Sequence, residues 1–124
     1  MDTAERLIKS TLLLAFSMLN VIDMVQTTAF LKMGIEGNPF AVQYPLLWFA
    51  FKASFAFGLP VGLTLLDNYL DDKDDEGFNA FLMQFASALY VVVFFADIFF
   101  FMQVSKNTAV LGRVLPQISR QQSD

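Results

Sequence analysis

No cysteine and no histidine occur anywhere in the 124 residues. The first absence removes disulfides, thiol nucleophiles and thiolate metal sites. The second removes the commonest metal ligand and general base. Charge is also scarce, at 16% of residues. The eight Lys and Arg are scattered from Arg6 to Arg120, so no basic patch suited to nucleic acid exists. Polar aromatics are few as well. Three Tyr and one Trp stand against fifteen Phe, whose rings carry no group to satisfy in hydrocarbon.

What remains is apolar. Hydrophobic residues make up 56% of the chain and its mean hydropathy is +0.51, above the roughly 45–50% apolar content of soluble domains. Three runs approach the ~20 residues needed to cross a ~30 Å hydrocarbon core: about 11–33, 45–66 and 78–104. The first is too long for a signal peptide and lacks a convincing small-residue cleavage site. Length and pattern predict one all-α domain, a membrane three-helix bundle with a short amphipathic C-terminal segment.

Punctuation supports these limits. Gly34 can end the first helix, Asn38-Pro39 makes a turn, and Pro45 fits the first turn of the second helix. The net charge of −4 comes almost wholly from Asp67, Asp71, Asp72, Asp74, Asp75 and Glu76, which reads as a solvated loop over 67–77. Its spacing fits no EF-hand. In the tail, 105–124, Val110, Leu111, Val114, Leu115 and Ile118 recur at helical spacing, and Pro116 is expected to interrupt the segment. Three spans put Arg6, Lys9 and Lys73 on one side and Lys32, Lys106, Arg113 and Arg120 on the other. That four-to-three bias points to a cytoplasmic C-terminus in a prokaryotic cell membrane.

The informative residues are those out of place in lipid. Ser17, Asn20, Asp23 and Thr27 fall on one face of the first helix. A charge at bilayer centre costs at least about 2.5–3.5 kcal/mol, so Asp23 needs a partner. Asp23 lies about 15 Å inside the loop face and Lys52 about 12 Å, at ~1.5 Å rise per residue, so a hairpin brings them to similar depth. Asp97 lies about 10 Å below Val104 by the same rise and can join that layer, with Glu36 and Asn38 above. On the second helix, Ala50, Ser54, Gly58 and Gly62 recur every fourth residue, a face that lets another helix approach closely. Lys52 points away from it. The second helix is therefore expected between the first and either the third or another subunit.

The ordered set Asn20-x-x-Asp23-x-x-x-Thr27, Gly34-x-Glu36-x-Asn38-Pro39 and Lys52 resembles an uncharacterised family of small, largely archaeal polytopic membrane proteins. The resemblance spans Leu19 to Ala56. It implies the helical hairpin and brings no activity with it.

Three functions compete. The first is a small accessory subunit of a larger membrane complex, such as a respiratory complex or a copper monooxygenase, without catalysis of its own and with lipid and other membrane subunits, or further copies of itself, as partners. The second is an oligomeric proton or cation channel or transporter component using Asp23, Lys52 and Asp97. The third is an intramembrane ligand- or metal-binding protein in which Asp23, Glu36 and Asp97 offer oxygen atoms to a hard cation. No cofactor is implied. A Ser/Lys hydrolase from Ser54 and Lys52 fails because residues two apart on a helix face away from each other.

The cysteine-free background makes the topology directly testable. Single cysteines replacing Asn68 and Ser123 should react with an impermeant thiol reagent from opposite sides of the membrane. Labelling from one side would rule out three spans.

Overall fold

The computed structural model describes residues 2–123. Four helices follow one another: α1 (Thr3–Met33), α2 (Pro39–Gln43), α3 (Pro45–Leu70) and α4 (Gly77–Ser123). Helices α1, α3 and α4 are each long and apolar enough to cross a membrane. No strand occurs among the described residues. The fold is an all-α bundle.

Local chemistry sets the ends. The Asp2 carboxylate accepts the Glu5 N–H at 2.7 Å and caps α1. Gly34 closes that helix with φ of 72°, a left-handed conformation that glycine adopts without steric cost. Asn38 caps α2 by accepting the Phe40 N–H at 3.0 Å, and Pro39 and Pro45 open α2 and α3. Each proline stands where its missing N–H costs nothing.

The long helices pack with a repeat near 3.5 residues. On α1 the buried positions include Leu13, Phe16, Asn20, Asp23, Thr27 and Phe30. On α4 they include Ala86, Tyr90, Val93, Val104 and Asn107, and on α3 Ala56, Leu63 and Leu70 fall seven apart. Such a repeat keeps one seam facing a neighbour along a supercoiled bundle. Leu13, Phe16, Leu63, Ala86, Tyr90 and Val93 form its apolar core. Outward-facing phenylalanines such as Phe51, Phe81, Phe95 and Phe101 are more than half exposed, as lipid-facing residues should be.

The expected position of α3 between the first and third helices needs correcting. The central helix is α1, which packs extensively against α4 and α3, whereas α3 and α4 touch little. The face of Ala50, Ser54, Gly58 and Gly62 is exposed, and a Cβ added to Gly58 or Gly62 would meet nothing within 4 Å. None of the described residues occupies it. The reason lies on α1, whose polar stripe draws both neighbours to itself and leaves the small side of α3 outward.

The loop and tail also differ from the sequence reading. Helix α3 continues to Leu70, so Asp67 sits on its last turns rather than in a solvated loop. The tail prolongs α4 through Pro116 without a break. Asn107 is buried and Val110, Leu111 and Val114 are half-buried, so contact with α1 carries the helix past the span's end.

Pro60 lies inside α3 and cannot donate to the carbonyl four residues back, which belongs to Ala56. The Ser17 hydroxyl of α1 donates to that Ala56 carbonyl at 2.6 Å. A defect in one helix is thus satisfied by another. Ser17→Ala should strand the carbonyl and cost about 1–3 kcal/mol. In a Pro60→Ala background the helix supplies its own donor, and the same change should cost much less. Unfolding titrations in mixed micelles would measure the cycle, and additive losses would show that the two residues are uncoupled.

Candidate functional site

The polar stripe of α1 meets α3 at Lys52. Its Nζ donates to Asn20 Oδ1 at 2.6 Å and lies 3.0 Å from Asp23 Oδ2. The ammonium also sits 4.3 Å from the centre of the Phe100 ring and 5.8 Å from that of Trp48, within cation–π range. Asn20 is 1% exposed and is fixed by donating its own amide to the Phe16 carbonyl at 2.8 Å. A half-buried cation thus receives a carboxylate, an amide oxygen and two ring faces.

Above this pair opens a cavity of about 490 Å³. Asp23, Thr27 and Phe30 of α1 line it, with Trp48 and Lys52 of α3 and Phe99, Phe100, Gln103 and Asn107 of α4. The connection between α1 and α2 adds Ile35, Glu36, Gly37 and Asn38. The Asn38 N–H donates to Glu36 Oε1 at 3.0 Å. Glu36 Oε2 is buried without a hydrogen-bond partner.

Of the polar residues singled out in the spans, Asp23, Thr27 and Lys52 line the cavity and Asn20 braces its lysine. Glu36 and Asn38 of the loop motif line it too, while Gly34 and Pro39 shape the connection by ending one helix and starting the next. Asp97 stands apart. It does not line the cavity, and both its carboxylate oxygens are buried with no hydrogen-bond partner. It faces the bundle on α4, but Lys52 is held by Asn20 and Asp23. The expected layer of two acids and one lysine therefore reduces to one pair. Among the described residues no group of three or more His, Cys, Asp or Glu could hold a metal ion, so the hard-cation arrangement of Asp23, Glu36 and Asp97 does not form.

Several participants escaped the sequence reading. Gln103 and Asn107 lie one helical turn apart and reach the cavity from either side of the expected end of the third span. Gln26 donates to Thr108 Oγ1 at 2.8 Å and to the Val104 carbonyl at 3.2 Å, tying α1 to α4. At the opposite end, Tyr90 donates to Asp67, while Lys9 lies 3.8 Å from Asp67, 3.3 Å from Glu5 and 4.8 Å from the centre of the Tyr90 ring. The seven-residue spacing of Tyr90 and Asp97, continued to Val104, was the available signal for this α4 face.

The family described as "Domain of unknown function (DUF5658)" matches residues 14–103. That is well over half of the chain, which therefore belongs to this family. No curated protein and no solved structure matches it.

The geometry predicts different responses from the acids of the spans. Asp23→Asn or Lys52→Met leaves its partner buried alone and should cost about 3–5 kcal/mol, with much of the loss recovered in the double variant. Asp97→Asn removes a carboxylate that has no partner to abandon and should be neutral or stabilising. Melting in detergent compares the four proteins. A large loss from Asp97→Asn would show that this carboxylate has a partner.

Proposed function

Belonging to the DUF5658 family assigns no chemistry to this chain, and from its own residues we propose that it is a membrane-embedded binding protein for a small polar solute. The carrying observation is convergence. The α1 stripe, the Gly34-to-Pro39 turn and Lys52 come from three separate segments, and their polar side chains border one cavity of about 490 Å³. Ligand sites commonly measure roughly 300–1,000 Å³ and combine apolar walls with a few placed polar groups. A bundle needing only a fixed register would fill that space with side chains. Here Phe30, Trp48, Phe99 and Phe100 surround the polar groups without closing over them.

A second reading rests on a different surface. The exposed Ala50, Ser54, Gly58 and Gly62 face has the form that lets membrane helices approach closely. It supports assembly with further copies or with other subunits of a larger complex, in which this chain binds and does not catalyse. A prokaryotic cell membrane with a cytoplasmic C-terminus accords with the small Lys and Arg excess at that end.

Trp48, the only tryptophan, lines the cavity and serves as a built-in reporter. Titration of the reconstituted protein with small solutes of differing charge should give a saturable change in its emission and a raised melting temperature. Both should change in the Asp23→Asn/Lys52→Met double variant, which alters the polar lining of the cavity and should recover much of the stability lost in the single variants. If no solute moves either signal, the cavity is only a packing defect above a structural ion pair.

A further inference from the structure

We infer that the solute held in this cavity is a small organic cation bearing an alkyl- or quaternary ammonium group, bound between the Glu36 carboxylate and the aromatic walls. The inference rests on the binding reading above and adds the ligand's chemical class.

The charge of the cavity favours a cation. Asp23, Glu36 and Lys52 are the ionisable residues lining the cavity. Lys52 and Asp23 neutralise each other at 3.0 Å. Glu36 has no ion pair among the described residues, which leaves the cavity with one uncompensated negative charge. An anionic solute would meet two carboxylates and a lysine already donating to Asn20 and Asp23. An uncharged solute would leave Glu36 unmatched.

Glu36 itself is only half satisfied. One oxygen is committed to the Asn38 N–H, whereas the other is buried and has no hydrogen-bond partner. A buried carboxylate oxygen without a donor carries a desolvation cost that an ammonium group removes by an ion pair.

The walls favour the same class of ligand. Phe30, Trp48, Phe99 and Phe100 contribute four rings. The faces of Phe100 and Trp48 are taken by the Lys52 ammonium, which leaves Phe30 and Phe99 as the lining rings open to a further cation. Aromatic enclosures favour weakly hydrated organic cations over hydrated metal ions. A hard metal would require six or more oxygen ligands, and its carboxylates do not gather here. The volume, far above that of a bare ion, suits an organic molecule.

Such a cation can be a free amine or the headgroup of an amine-bearing lipid. The full chain in nanodiscs of phosphatidylglycerol, titrated with tetramethylammonium, should show saturable change in Trp48 emission. Glu36→Gln keeps the acceptor for the Asn38 N–H, so it should fold normally yet bind roughly tenfold or more weakly. Neopentyl alcohol, an uncharged molecule of similar shape, and acetate should bind poorly to the native protein. Nanodiscs containing phosphatidylethanolamine separate the sources: competition with tetramethylammonium identifies a headgroup, and its absence with tetramethylammonium still bound identifies a free amine. Equal or tighter binding of neopentyl alcohol or acetate, or unchanged affinity in Glu36→Gln, overturns the cation assignment while leaving the binding site in place. Failure of all three probes overturns both.

Discussion

The rest of the structure is arranged around one constraint, the placement of the Lys52 ammonium inside a membrane-spanning helix. A charge there costs at least about 2.5–3.5 kcal/mol unless the protein replaces its hydration. Four groups do so: Asn20 and Asp23 from α1, Phe100 from α4, and Trp48 one turn away on α3 itself. Three helices are thereby tied to one nitrogen. The arrangement also explains why α1 is the centre of the bundle. It carries most of the buried polar side chains, and these bind α3 through Ser17, Asn20 and Asp23 and α4 through Gln26.

In water a helix buries its apolar stripe; in lipid the same seven-residue repeat turns polar groups inward. Apolar packing gives little drive for association when the surrounding tails are equally apolar, so hydrogen bonds and close contacts fix the pairing. The interior of this bundle accordingly divides into zones. Leu13, Phe16, Leu63 and Val93 form a dry middle. Lys9, Asp67 and Tyr90 form a polar cluster at the amino-terminal end of α1, and the cavity with Lys52 lies towards its other end.

The spans, the helix ends at Gly34, Pro39 and Pro45, and the polar face of α1 were all legible in the sequence, because each depends on local chemistry or simple periodicity. Matching Asp23 to Lys52 needed only helix rise and a short connection. Beyond that, legibility failed wherever the answer depended on how helices divide their faces among neighbours. The small-residue stripe of α3 is a sound packing motif, yet nothing in it says which helix comes to it, and α1 instead takes the lysine side. Asp97 has the right depth but not the right neighbour, since a rise calculation carries no information about azimuth. Asp67 reads as loop because it begins an acidic run, whereas Tyr90, distant in sequence, supplies the donor that keeps it in the helix bundle.

The zoned interior also constrains what the bundle can do. A channel within one chain needs a continuous polar path, and here the packed layer of Leu13, Phe16, Leu63 and Val93 interrupts any such path between the Lys9 cluster and the cavity. Val93 is fully buried and Leu63 nearly so, so conduction would require helices to separate against native packing. Binding needs no such separation, because the cavity is bounded partly by the short α1–α2 connection. Movement of Glu36 and Asn38 would alter it without disturbing Lys52. A transport cycle would need one thing more, an alternate packing of α3 or α4 on α1 that opens the apolar layer. The weak contact between α3 and α4 makes a shift of either against α1 the least disruptive rearrangement this bundle offers.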